Sequence, residues 1–296
     1  MIKFFFKTLL KLMFKKHVSI EEGRIRMERS AKLMGRLPKD ILVESVDING
    51  VYAEWIYVAD ADNEKVILYL HGGGYVVGST VPYRRLCASL SQSAKARVLI
   101  PEYRLAPEHP FPAGLEDAVA AYNWLLVQGV DAKNIVIAGD SAGGGLSLAT
   151  ILSLRDAGQP LPAGLVCISP WADLTQSGKS HHTNAKSEVI LLTESLDLWA
   201  SAYADESELR NPLVSPVFAD FSGFPPLLIQ AGSDEILLDD SIQLAEKAKA
   251  AGVDVTLSIY EGMWHVWHTV EPLRECREAF EEIGAFVNGL RVQVEG

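Results

Sequence analysis

Cysteine is scarce in this chain. Only Cys87, Cys167 and Cys276 occur among 296 residues. An odd number at wide spacing excludes a disulfide framework and any C-x-x-C metal site, and it fits a reducing compartment. Cys87 and Cys167 lie in apolar stretches and read as core fillers. Positive charge is in deficit as well: 27 Lys and Arg stand against 38 Asp and Glu, a net charge of −11. That balance argues against a nucleic-acid partner. No internal repeat and no low-complexity segment is visible, which sets aside solenoids and disordered linkers. What remains is an ordinary globular composition, 48% hydrophobic and 22% charged, on a chain long enough for one α/β domain with insertions.

The N-terminal segment departs from this average. Residues 1–36 carry ten Lys and Arg against three Glu. Lys3, Lys7, Lys11 and Lys15 recur at i, i+4, while Phe5, Phe6, Leu9, Leu10, Leu12 and Met13 fall mostly on the opposite arc, so a basic amphipathic helix is expected. The lysines interrupt the apolar run and no small-residue cleavage site follows, so it is not a secretory signal. It is too short and too charged to span a bilayer. Two readings stay open: a lid folded over a site elsewhere in the chain, which is preferred, or contact of residues 1–16 with a membrane surface or lipid. The expected location is the cytoplasm, peripheral to a membrane if the second reading holds.

After this segment strands and helices alternate. Ile41–Ile48 and Val51–Val58 read as an antiparallel pair joined by Asn49-Gly50, a strong hairpin turn. Strands are then expected at Val66–Leu70, Arg97–Pro101, Asn134–Gly139, Leu165–Ser169, Leu227–Ala231 and Val253–Tyr260. Helices are expected at Pro82–Gln92, Gly114–Gln128, Gly143–Ala157, Asp239–Ala251 and Glu271–Leu290. The alternation predicts a mostly parallel sheet with helices on both faces. Between Asp173 and Phe224 no strand is expected, only polar residues and a helical pattern around Thr193–Ala204. An excursion of that length at the C-terminal ends of the strands reads as a cap.

Two motifs carry chemistry. His71-Gly72-Gly73-Gly74 closes one strand, and Gly139-Asp140-Ser141-Ala142-Gly143 joins another to a helix. A lone G-x-S-x-G turns up by chance in roughly one chain in ten, but H-G-G-G in only about a few per thousand. Strand, sharp turn and helix form the setting of a nucleophile elbow, and bare backbone N–H groups form a cradle for an oxyanion. Ser141 is therefore the candidate nucleophile. A serine needs a base, and the base needs a carboxylate. Of the histidines after Ser141, His181 and His182 lie in the polar stretch and read as solvated. His265 follows a strand end and is preferred, with His268 as the backup. Asp234 also follows a strand end and is the preferred acid, with Glu235 as the weaker alternative. Asp239 reads as a helix N-cap, and Asp173 as a structural turn residue. Aromatics near these positions (Tyr75, Trp199, Tyr203, Trp264, Trp267) are candidates for an apolar acyl pocket.

These residues resemble the hormone-sensitive-lipase-like branch of the α/β-hydrolases, the bacterial carboxylesterases with H-G-G-G and G-D-S-A-G. The likeness extends over roughly residues 40–290. It includes Tyr103-Arg104-Leu105-Ala106-Pro107-Glu108-His109-Pro110-Phe111-Pro112-Ala113, Ser169-Pro170-Trp171, and Ser215-Pro216 ahead of Pro225-Pro226. The resemblance implies an α/β-hydrolase fold with an eight-stranded, mostly parallel sheet and a helical cap. Residues 41–172 and 221–296 would form the core, 173–220 the cap insertion, and 1–40 the N-terminal helices that complete the cap. It implies Ser141, Asp234 and His265 as triad, and Gly73, Gly74 and Ala142 as oxyanion donors, with Gly72 in the same oxyanion loop and holding it. His71 would brace that loop. Arg104 with Glu116 and Asp117 would tie loops beneath the site. The chain departs from the family where proline usually follows the aspartate (here Glu235) and where phenylalanine often stands two residues after the histidine (here Trp267). The implied activity is hydrolysis of short- to medium-chain acyl esters through an acyl-enzyme, without metal or cofactor. A lactone hydrolase, an amidase and a ligand-binding protein on a hydrolase scaffold are the alternatives. A homodimer through the last strand and helix is an analogy from the fold.

Overall fold

The structure is a computed structural model that describes residues 2–14, 18–33 and 37–294. Eight strands make one sheet: β1 (Ile41–Ile48), β2 (Val51–Val58), β3 (Asp62–Leu70), β4 (Ala96–Pro101), β5 (Ile135–Asp140), β6 (Gly164–Ile168), β7 (Leu227–Gly232) and β8 (Val255–Tyr260). Their spatial order is β1-β2-β4-β3-β5-β6-β7-β8. β1 pairs with β2 and β2 with β4 antiparallel; every later pairing is parallel. The Asn49-Gly50 turn has both residues at positive φ, 54° and 96°, as a two-residue hairpin requires. β3 begins earlier than expected, at Asp62. Its leading residues are polar and partly exposed, so no apolar run announces them.

The helices are α1 (Ile2–Met13), α2 (Ile20–Leu33), α3 (Thr80–Ala94), α4 (Ala113–Val127), α5 (Ala142–Asp156), α6 (Ser180–Thr183), α7 (Thr193–Tyr203), α8 (Leu238–Ala250) and α9 (Arg274–Val294). The period-2 alternation of the strands sorts their side chains between two core layers. Leu68, Leu70, Ile137, Cys167 and Ile229 face α4, α5 and α8. Ile67, Tyr69, Ala138, Ile168 and Leu228 face α3 and α9. With both faces covered, every residue of β5, β6 and β7 is buried, which is why these strands read as continuous apolar runs. The long interval between β6 and β7 holds α6, α7 and short 3-10 turns at Glu206–Glu208 and Pro216–Phe218, with no strand among its described residues.

α5 runs through the middle of the molecule and buries twelve of its residues. It approaches the sheet closely because it opens on glycines. A Cβ at Gly143 would fall on the carbonyl oxygens of Leu70 and His71. Gly143→Ala is therefore expected to force helix and strand apart and to cost about 1–3 kcal/mol, as overpacking does. A urea titration of both proteins measures this.

Candidate active site

Ser141 sits between the end of β5 and the start of α5 with φ 53° and ψ −124°. A non-glycine residue at positive φ costs about 1–3 kcal/mol and persists only where its surroundings hold it. Here the Ser141 N–H donates to the Ile168 carbonyl at 2.9 Å, and its own carbonyl accepts from the Trp171 N–H at 2.9 Å. The turn is thus pinned to the chain leaving β6.

Asp140, one residue earlier, is fully buried and points toward β3. It accepts from the Tyr69 hydroxyl at 2.7 Å, the Gly72 N–H at 2.8 Å and the Tyr83 hydroxyl at 3.2 Å. Burial raises its pKa above the ordinary carboxylate value, and those three donors pull back toward the ion. The Gly72 N–H is consumed by this bond, so Gly72 anchors the loop and donates to no oxyanion. Gly72 thus belongs to the oxyanion loop in the holding role expected of it, and not as one of its donors. Gly73 and Gly74 follow at φ 116° and 63°, backbone that side chains rarely adopt. At Gly74 a Cβ would also meet the indole of Trp199 from α7. Ala142 opens α5, so its N–H is among the helix's intrinsically unpaired donors.

His71 braces this loop as expected. Its Nδ1–H donates to the Gly72 carbonyl at 2.8 Å, its ring stacks on Tyr103 at 4.3 Å, and its carbonyl accepts from the Tyr103 hydroxyl at 2.7 Å. Burial pushes its pKa down to about 4, so the ring is neutral and structural. Arg104 binds both carboxylates assigned to it, Asp117 at 2.8 Å and Glu116 at 3.1 Å.

The loops after β7 and β8 carry the candidate acids, Asp234 and Glu235, and the candidate base, His265. His265 is buried, and its Nδ1–H donates to Glu235 Oε2 at 3.1 Å. The other Glu235 oxygen accepts from the Gly232 N–H at 3.0 Å, which fixes the carboxylate. Asp234 does not face the histidine. Its carboxylate takes the ammonium of Lys7 in α1 and, at 3.2 Å, the Ser233 hydroxyl. The expectation of Asp234 as the partner of His265 is corrected on this geometry. The chain turns as it leaves β7, successive side chains diverge, and the longer glutamate arm reaches the imidazole. Burial alone would lower the His265 pKa; the Glu235 hydrogen bond and charge, aided by Glu188 and Asp140, raise it above the ordinary value. The His265 loop is held one strand from Ser141, because the Val266 N–H donates to Ser169 Oγ at 3.2 Å and Ser169 directly follows the Ile168 carbonyl that receives Ser141.

The remaining candidates sort cleanly. His268 is fully buried, its Nε2 is 2.8 Å from Gln230 Oε1, and burial pushes its pKa down to about 3; it belongs to the α9 core. His181 is buried 3.6 Å from Asp240, against the expectation that it is solvated, whereas His182 is exposed. Asp239 lies inside α8 and accepts from the Ser180 N–H at 3.0 Å, so it caps α6 rather than its own helix. Asp173 gathers Thr175 and Ser177 into a turn, as expected. Of the pocket aromatics, Trp264 and Trp267 show no exposed surface and pack in the α3/α9 layer. They line no pocket. Tyr75 and Tyr203 stack face to face at 3.8 Å and are buried as a support for the oxyanion loop. Trp199 alone of the five is partly exposed.

Known proteins share this arrangement of elements. A family model described as the alpha/beta hydrolase fold matches residues 67–269. An acetyl-hydrolase of Streptomyces hygroscopicus is 46% identical over 272 residues, covering 90% of this chain and 89% of that protein. An esterase of Acinetobacter venetianus is 37% identical and covers 84% of this chain and 83% of its own. A crystal structure of an esterase from the bacterial hormone-sensitive lipase family matches with a TM-score of 0.92 at 42% identity, over 96% of this chain and 97% of that one. By sequence and by fold together, the chain belongs to the α/β-hydrolase family, in its bacterial hormone-sensitive lipase branch.

Proposed function

We propose that Ser141, His265 and Glu235 are the triad of this serine carboxylesterase, and that its substrates are esters of short- to medium-chain acids. The observation that carries the reading is the His265–Glu235 hydrogen bond beside the strained serine turn. With Nδ1–H held by the carboxylate, Nε2 of the neutral ring is free to take the Ser141 proton as the hydroxyl attacks the ester carbonyl. The N–H groups of Gly73, Gly74 and Ala142 receive the oxyanion, each contributing roughly a hundred- to a thousandfold. His265 then protonates the leaving alcohol, and water releases the acid by the same steps. Glu235 orients the ring and stabilises the imidazolium.

Residues 41–172 and 221–296 act as the hydrolase core, with 173–220 and the N-terminal helices as the cap. Trp199 on α7 lies against Gly74, so the acyl chain beside the oxyanion meets an indole wall. That supports the short-acyl preference, as does the acetyl-hydrolase name of one relative. For assembly, β8 ends the sheet with Ile259 exposed, which supports the homodimer reading; light scattering of the purified protein checks it.

A fluorophosphonate should label Ser141 in the native protein and fail on Ser141→Ala; native protein left unlabelled would remove the nucleophile. Glu235→Gln is expected to lower kcat on the order of 10³–10⁴-fold, as loss of the triad carboxylate does, whereas Asp234→Asn leaves kcat within a few-fold. The reverse result returns the acid to Asp234. The base works only when deprotonated, and its pKa is raised. The acid limb of kcat/KM is therefore expected to have its midpoint above about 6.5, the ordinary histidine value. In Glu235→Gln that midpoint moves down. Trp199→Ala should raise kcat/KM for octanoyl relative to acetyl esters by about tenfold, the scale of pocket-size discrimination.

A further inference from the structure

α1 is mounted with its charged side inward. Lys3 donates to the Glu261 carbonyl at 2.8 Å and pairs with Glu275 at 2.9 Å; Lys7 pairs with Asp234; Lys11 donates to the Lys186 carbonyl at 2.6 Å. These bonds strap the helix across the loops after β7 and β8 and onto the segment ahead of Glu188. Only Phe6 and Leu10 lean on the core, and no residue of the helix is buried. Its other apolar side chains face outward: Phe4 is 76% exposed, Leu12 67%, Phe5 61% and Met13 55%. Ile2, Leu9 and Phe14 add to this face, whereas the other exposed large apolar residues among the described ones are one each on α2, α3, α4, β2 and β8 and the pair Leu42 and Val43 on β1, so the apolar surface is concentrated on α1. A groove of about 320 Å³ runs between α1 and the cap. It is walled by Phe4, Leu12 and Val189 and rimmed by Lys7, Lys11 and Lys186, with no carboxylate in its lining. In the sequence Lys15 and Lys16 come after Phe14, just past the end of α1.

We propose that the outward face of α1 docks on an anionic lipid surface, with Phe4, Phe5, Leu12 and Met13 entering the headgroup–acyl boundary and the exposed Lys11 and Lys186 at the groove rim meeting lipid phosphates. The chemistry matches such a surface. The outward side chains of Phe, Leu and Met offer no hydrogen-bonding group to a protein partner, and an apolar arc flanked by lysines is the pattern of an interfacial helix. The cationic groove stands out on a chain of net charge −11. A second copy of this chain fits less well, because a two-fold contact through α1 would bring two lysine-rimmed grooves together. Docking at this face sets the cap, and the strand ends beneath it, against the lipid.

The experiment is co-sedimentation of the full chain with vesicles of phosphatidylcholine alone and of phosphatidylcholine with phosphatidylglycerol. The native protein should pellet with the anionic vesicles and markedly less with the neutral ones. A triple variant, Phe4→Ser, Phe5→Ser and Leu12→Ser, should lose about tenfold or more in vesicle affinity with no change in melting temperature, since all three positions are exposed. Lys11→Glu with Lys186→Glu should remove the preference for anionic vesicles. Absence of native binding, equal binding by the triple variant, equal binding to both vesicle types, or a native dimer that the triple variant dissolves would each overturn the proposal. Labelling of Ser141 by fluorophosphonate in the same samples is independent of all of these, so failure of the lipid surface and failure of the triad are read separately.

Discussion

The buried carboxylate of Asp140 is the contact on which the rest of the site depends. It ends the strand that leads into Ser141, yet its three donors belong to β3, the loop after it, and α3. Strand β5 and strand β3 are neighbours in register from Val66 and Ile135 to Leu70 and Gly139, so the serine turn and the glycine loop emerge side by side. Adjacency alone does not aim a backbone N–H. Asp140 does so by taking the Gly72 N–H, which rotates the following glycines away from the sheet. An unpaired carboxylate at this depth would be costly, and two tyrosine hydroxyls with one amide offset the cost. The arrangement is rigid because each donor is itself buried.

A second carboxylate does comparable work on the other side. Glu188, in the segment between the strands, is buried, and burial raises its pKa. One of its oxygens accepts from the N–H groups of Val189 and Ile190 at 2.7 and 2.8 Å, and the other from Ile236 at 3.3 Å. Asn184 donates to the carbonyls of Ser233 and Glu235, and the Ser187 hydroxyl to that of Asp234. The loop that carries Asp234 and Glu235 is therefore held by the excursion between β6 and β7, not by the sheet alone. Further along, His181 and Ser180 dock on Asp240 and Asp239 of α8. The loop of Asp234 and Glu235 and the first turn of α8 are thus tied to the same excursion by one set of polar contacts.

The sequence spoke most clearly where one residue type is the only physical solution. H-G-G-G and G-D-S-A-G survive translation into structure because glycines at Gly74 and Gly143 leave no room for a Cβ. The alternation of fully buried strands with helices is equally plain, because two covered faces demand unbroken apolar runs. Signals weakened where direction rather than type decides. Asp234 and Glu235 are both carboxylates at a strand end, and only the turn of the backbone tells which one faces His265. The missing proline was the available clue, since Glu235 stands where the family usually has it. Asp140 carried no visible role, because its partners Tyr69 and Tyr83 are distant in the chain. Trp264 and Trp267 sit within a few residues of His265 but point into the α9 layer, so proximity along the chain misled about proximity to the site.

Electrostatics explains why α1 is bound by its lysines rather than by its apolar face. The loops after β7 and β8 and the first turn of α9 gather Asp234, Glu235, Glu261 and Glu275, with Glu188 behind them. Against the opposing effect of burial, Glu235 and Glu188, together with Asp140, raise the His265 pKa. The same field works against itself, because carboxylates crowded at one edge repel one another. Lys7 on Asp234 and Lys3 on Glu275 relieve the outermost of these charges and leave Glu235 to the imidazole. The helix is thereby turned lysines-inward, only Phe6 and Leu10 reach the core, and Phe4, Phe5, Leu12 and Met13 are left facing out. An exposed apolar face is the consequence of neutralising an acidic rim, and it gives the enzyme a second surface whose chemistry differs from that of the site beneath it.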